Sequence, residues 1–433
     1  MKGLSVEVPT RQGLACYGLL GLPLAFVALP LYVLLPNHYA REFGMPLATL
    51  GAVLLAARLF DAAIDPLLGR LSDWLFARSP HAVLAAGALS ALGLALGLAG
   101  LFFPAVAGPG ALIVWAAAFL LITYTAYSQL SIAHQSWGAR LGGDELQRGR
   151  IVAWREGCGV FGVVLASLLP ALLGLPVMLF VFTVTLVLGW LAWTRAPSPT
   201  APPGRATKAV ASLWRPWGSA AFRRLLAVFM LNGIASAVPA TLVLFFIQDR
   251  LQSPPAQQPL FLGTYFLCAA LSIPLWLQVV ARWGLARTWL AGMLLAIAVF
   301  AGVAGLGKGD TAAFLLVCAL SGAALGTDLA LPGAMLTGVI ARQGDNGRFE
   351  GAYFGWWNFA TKLNLALAAG LALPLLGALG YSPGTRSPEA LQVLGLAYAI
   401  LPCALKLLAA ASLYFLIIRR PAPGRILIPK GTP

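Results

Sequence analysis

Apolar stretches of about 20 residues or more, each long enough to cross ~30 Å of hydrocarbon at 1.5 Å per residue, recur along the whole chain. Twelve can be placed, near residues 13–36, 46–69, 82–104, 110–135, 152–174, 176–194, 224–247, 259–281, 286–306, 312–341, 349–379 and 391–418. Of the 433 residues 60% are hydrophobic and 10% charged, a balance no soluble domain could divide between a core and a hydrated surface. The expectation is an all-α membrane protein.

Charge placement predicts the orientation, because Lys and Arg accumulate on the side from which loops are not translocated. With the N-terminus inside, the inner loops and both termini hold 22 Lys and Arg, whereas the outer loops hold Arg41, Arg250, Lys308 and Arg386. Such a lopsided split fits an even number of spans with both termini cytoplasmic. The formal net charge of +15 is then mostly this asymmetry, with some attraction to anionic lipid, and implies no nucleic-acid partner. The host is expected to be a plasma membrane or bacterial inner membrane.

The longest polar break, 196–223, is rich in proline and basic residues and reads as a hydrated, semi-rigid linker. It divides the chain into six spans (1–195) and six spans with a basic tail (224–433). The first span has no convincing cleavage site after it and is expected to remain. Cys16, Cys158, Cys268, Cys318 and Cys403 all lie in spans without a C-x-x-C pair, so free thiols are expected and no metal site. There is no paired nucleophile and base, His-rich cluster or phosphate-binding glycine loop, which argues against an enzyme and leaves no catalytic residue to name.

The second span carries the main functional signal. Asp61 and Asp65 stand inside it, and a carboxylate at bilayer depth is costly unless it faces an ion, a cavity or a partner. Residues at i and i+4 share one helix face, so the two can aim at one point. Two such groups make a hard-ligand cation site. Arg58, on nearly the same stripe, could instead neutralise one of them within a structural ion-pair network.

Two six-span halves joined by a cytoplasmic loop resemble the major facilitator superfamily. The resemblance implies twelve transmembrane helices in two pseudo-symmetric bundles, with the solute site between them near the midplane. Gly69-Arg70-Leu71-Ser72-Asp73, followed by Arg78, is similar to the superfamily's G-x-x-x-D loop. It implies a cytoplasmic gate at Gly69, Asp73 and Arg78. Asp61 through Asp65 and Pro66 to Gly69 matches the D-x-x-x-D-P-x-x-G pattern of the glycoside-pentoside-hexuronide:cation symporters. Tyr127–His134, Arg148 with Arg155, Gly347–Gly351, Lys362 and Leu376–Tyr381 echo that group in order.

The chain also departs from the group. A third acid found four residues after a tyrosine in sodium-coupled members is here Ser131, after Tyr127, with Ser128 between them. Replacing a carboxylate by a hydroxyl weakens the hold on a hard cation, which puts Na⁺ coupling in doubt and leaves both Na⁺ and a proton as candidate coupling ions. The helix-1 aspartate used by sugar-transporting relatives falls on Pro23, and the segment from Thr337 to Ala341 holds no acid. Further candidates for substrate or gating are Asp328, Lys362 with Asn358 on its face, His134 and the ring cluster Tyr353, Phe354, Trp356, Trp357 and Phe359.

The function expected is cation-coupled symport of a small polar solute of the glycoside class, by a monomer without cofactor. Asp61, Asp65, Ser128 and Ser131 would form the ion site. Arg58, Tyr127, His134, Arg155, Asp328, Trp357, Asn358 and Lys362 would serve substrate or gating. The alternatives are a proton-linked or uncoupled carrier of an amphiphile and a non-transporting sensor or assembly factor.

Overall fold

The computed structural model describes residues 10–199, 212–254, 257–382 and 384–419. The centre of the linker, 200–211, lies outside them, as do Lys2 and the tail residues Arg420, Arg425 and Lys430. The described chain is helical almost throughout. Helices α1 (Arg11–Glu42), α2 (Leu47–Arg78), α3 (Pro80–Phe102) and α4 (Pro109–Arg140) come first. Glu145–Thr194 breaks at Gly174 into α5 (145–173) and α6 (175–194), and α7 is Ala220–Arg250. Gln258–Ala301 breaks at Gly284 into α8 (258–283) and α9 (285–301), before α10 (Thr311–Arg342), α11 (Glu350–Ala378) and α12 (Pro388–Ile418).

Local chemistry sets these limits. Gly174 and Gly284 adopt φ of 80° and 75°, a region that only glycine enters without strain, and each reverses the chain between two helices. Side chains of Ser79, Asp144, Ser219 and Ser387 accept from the backbone N–H groups of Ala82, Gln147, Phe222 and Ala390, satisfying donors that a helix start leaves open. One expected boundary moves. Helix α2 continues to Arg78, so Gly69–Asp73 lies within the helix and not in a turn beyond it.

Among the described residues nine stretches are long and apolar enough to cross a membrane, and one of these, Gln258–Gly305, is the pair broken at Gly284. The helices outside that set, α2 and α11, carry the buried Asp61 and Asp65 and the part-buried Lys362. Large apolar side chains such as Leu89, Phe161, Phe180, Leu271 and Leu316 stand exposed on the outer faces, as a hydrocarbon solvent requires.

Buried apolar residues form three clusters. One lies within 14–196 and one within 238–399. The third joins Ile132, Ala139 and Val152 to Leu285, Val339, Tyr353 and Phe354 across the middle of the molecule. That third cluster sits at the end of the bundle where α2 ends and α11 begins, hereafter the gate face.

Candidate functional site

Helices α2 and α11 cross at the gate face with their backbones touching. Gly69 lies against Gly351, and a Cβ at Gly355 would stand 2.6 Å from the carbonyl oxygen of Asp65, so no larger residue fits either position without displacement. Gly69→Val should therefore pry the two helices apart at this end. Labelling of a cysteine placed at Arg348 should rise severalfold in that variant, and unchanged labelling would show that the contact does not close the gate face.

One step further from the gate face, Lys362 of α11 reaches across to α2. Its Nζ donates to Asp61 Oδ1 at 2.6 Å, Asp65 Oδ1 at 2.8 Å and Ser128 Oγ on α4 at 2.7 Å. Ser128 Oγ in turn donates to Asp61 Oδ1 at 2.8 Å. These three short contacts use all three ammonium protons. Both carboxylates are buried, and Asp65 Oδ2 has no hydrogen-bond partner among the described residues. Two carboxylates against one ammonium leave the cluster one negative charge in excess.

Above the cluster, between the two sets of helices, lies a cavity of about 980 Å³. Asp61 and Lys362 form part of its floor, while Tyr127, Gln135, Arg155, Glu156 and Asn358 supply polar wall. Trp357 and Phe229 stack at 3.9 Å to make a flat apolar wall. Leu55 and Leu59 of α2 are exposed on the cavity side away from the gate face. The cavity is thus closed at the gate face and open towards the opposite one.

The closure has its own ion network. Arg140 Nη2 at the end of α4 lies 3.2 Å from Asp73 Oδ1 and 2.9 Å from Glu350 Oε2, and Nη1 donates to Gly347 O at 2.8 Å. Asp73 also accepts from the backbone N–H groups of Gly351 and Ala352 at the start of α11, at 2.7 and 2.8 Å, where the helix dipole favours an anion. All three charged side chains are buried. Nearby Asp345 accepts from Arg215 at 2.8 Å and from the hydroxyl of Tyr353. The hydrogen bonds to Asp345 hold the Arg215 guanidinium pKa above its ordinary value.

Other candidates are held by partners of their own, and of these Arg58, Ser131, His134 and Arg155 also line the cavity. Arg78 stacks its guanidinium 3.6 Å from the centre of the Trp74 ring and takes no part in the gate network, where Arg140 supplies the cation. Arg58 lies over Tyr32 at 4.3 Å and makes no ion pair with Asp61 among the described residues, because α2 turns it towards the open cavity. Ser131 accepts from Gln135 at 2.8 Å, one turn away from the aspartates. Gln135 also donates to Asn358 at 3.3 Å. His134 is fully buried, its Nε2 2.8 Å from the carbonyl of Tyr17 and its ring against Tyr17 and Trp193. Arg155 pairs with its neighbour Glu156. Of the ring cluster, Trp357 and Phe359 line the cavity, whereas Tyr353 and Phe354 pack in the interface core and Trp356 donates to Leu213 O.

Asp328 of α10 pairs with Lys406 of α12 at 2.9 Å and accepts from Trp289 Nε1 of α9 at 2.8 Å. Sequence reasoning identified Asp328 but gave it no partner, and it missed Lys406, Arg140 and the role of Glu350.

The sequence matches the MFS/sugar transport protein family over residues 16–420. It belongs to that family. The chain is therefore a multi-pass membrane carrier and not an enzyme. No curated protein matches the sequence. Solved structures with the same fold include a bacterial homologue of the iron transporter ferroportin in its outward-facing state, at 16% identity and a TM-score of 0.68, covering 94% of this chain and 99% of that one. The fucose:proton symporter of E. coli follows at 16% identity and a TM-score of 0.64, covering 92% and 98%. The human organic anion transporter TETRAN is similar at 18% identity and a TM-score of 0.64, covering 94% and 100%. At such identities the likeness is one of fold.

Proposed function

We propose that the chain is a secondary transporter that couples one proton, taken up at Asp61 and Asp65, to movement of a small polar solute of the glycoside class by alternating access. The observation that carries this reading is the Lys362 ammonium held by Asp61, Asp65 and Ser128 at the floor of the cavity. The ammonium fills the place where a metal cation would be liganded, so the remaining negative charge calls for a proton on one carboxylate, with the unpartnered Asp65 Oδ2 as its natural seat. Protonation would weaken the pull on Lys362. Because Lys362 is on α11 and the aspartates are on α2, this charge change acts on the contact between residues 1–195 and 224–433, the two bodies that would rock against each other.

The polar wall of Gln135, Asn358, Glu156 and Arg155 offers donors and acceptors for hydroxyl groups, and the Trp357–Phe229 pair offers a flat face for the C–H side of a sugar ring. On the loop-charge orientation the gate face is cytoplasmic, and the cavity opens outward. A second reading, carriage of an anionic amphiphile, is favoured by Arg58, which faces the cavity beside exposed Leu55 and Leu59.

Proteoliposome uptake across a panel of labelled glycosides and lysolipids, under an imposed pH or Na⁺ gradient, tests these readings. Accumulation of a glycoside driven by pH alone supports the first. Asp61→Asn and Asp65→Asn should each abolish accumulation while counterflow exchange survives. If both variants still concentrate solute, the aspartates are structural and the coupling proposal falls.

A further inference from the structure

The end of helices α7–α12 away from the gate face holds a second cavity, of about 200 Å³, that the transport reading does not use. Phe261, Tyr265, Phe266, Phe300 and Tyr398 contribute aromatic rings to its wall. Asp328 and Lys406 close its inner end, and Asp328 is the residue it shares with the central cavity.

Three observations define what would fit. The volume exceeds the ~150 Å³ at which an apolar cavity already accepts a benzene ring. The charges are matched internally, since Asp328 is satisfied by Lys406 and Trp289, and Lys406 also donates to Ser236 at 2.9 Å. A charged guest gains little there. Tyr398 is 3% exposed and stacked on Phe246 at 4.2 Å, yet its hydroxyl has no hydrogen-bond partner among the described residues, and neither has that of Tyr265. Neither hydroxyl is sealed in the protein, so two of them on the wall of one cavity are free to meet the polar group of a guest. The helix itself loosens here: residues 396–400 of α12 form a wide π turn just before Pro402, a feature frequent at functional sites.

We propose that this cavity is a binding site, separate from the central one, for a small uncharged ring-bearing molecule whose hydroxyl or carbonyl group meets Tyr265 and Tyr398. A diazirine-bearing benzyl alcohol, photolysed with the purified full chain in nanodiscs and mapped by mass spectrometry, tests it. Adducts are expected on Tyr265, Phe266 or Cys403 and should fall with excess 4-ethylphenol. Tyr398→Phe removes an unpaired hydroxyl and no packing, so it should weaken 4-ethylphenol competition about three- to tenfold. Ser321→Phe fills the cavity from α10 and should abolish the adducts. If it lowers the melting temperature sharply, Ala240→Phe fills the same space from α7. Adducts spread over lipid-facing Leu271 and Leu275 without competition would overturn the proposal. So would adducts lost in Lys362→Met but kept in Ser321→Phe, or competition unchanged by Tyr398→Phe.

Discussion

Lys362→Met is expected to abolish concentrative uptake and to destabilise the protein at neutral pH by about 3–5 kcal/mol, the usual cost of removing one partner from a buried ion pair. The substitution keeps the length of the stem, so the loss is one of charge and hydrogen bonds. Without the ammonium, Asp61 and Asp65 face each other at depth with only Ser128 as donor, and one of them must take a proton to remain buried. Adding Asp65→Asn removes that repulsion. The double variant should regain most of the melting temperature and none of the accumulation, because a neutral amide cannot carry the coupled proton. That split separates coupling from architecture. If Lys362→Met retains both its melting temperature and its uptake, the ammonium is incidental and the coupling cluster lies elsewhere.

The parts legible in sequence are those whose signal is local. Helix positions follow from runs of apolar residues, and the chain reversals at Gly174 and Gly284 fall where spans near 152–174 and 259–281 end. The convergence of Asp61 and Asp65 follows from i, i+4 spacing, and the resemblance to a family singled out Lys362 without fixing what it meets.

The missed residues act over distance. Arg140 reaches Asp73 on a different helix and Glu350 in the other half of the chain, yet in sequence it is one basic residue at a helix end, where positive charge is expected anyway. Arg78 has the same local appearance and lies nearer to Asp73 in sequence, but its exit from the membrane face turns it onto Trp74. Ser128 and Ser131 differ by three residues on one helix. Which of them meets Asp61 depends on the rotation of α4 against α2, a property of packing that no spacing rule contains. Lys406 stood alone in an apolar stretch, and only the neighbourhood of α10 and α12 assigns it to Asp328.

The gate network carries the second large effect. Arg140 sits between Asp73 of α2 and Glu350 of α11, so its single charge ties the two sides of the gate face together. Arg140→Gln leaves two buried carboxylates close to each other without a counter-charge, at a cost of about 3–5 kcal/mol to the closed arrangement. Opening the gate face hydrates both, so the open arrangement escapes most of that cost. Since each 1.4 kcal/mol is a factor of ten, the ratio of closed to open molecules should fall by roughly two to three orders of magnitude. Arg140→Lys keeps the charge but not the fork that reaches Asp73, Glu350 and Gly347 together, and should shift the ratio by less. Spin labels at Arg70 and Arg348, on a background with the native cysteines replaced, read the distance across the gate face directly. A longer main distance in Arg140→Gln, partial in Arg140→Lys, is the expected result. An unchanged distance distribution in both would mean that the backbone contact of Gly69 with Gly351 and the apolar cluster hold the face shut without the ion network.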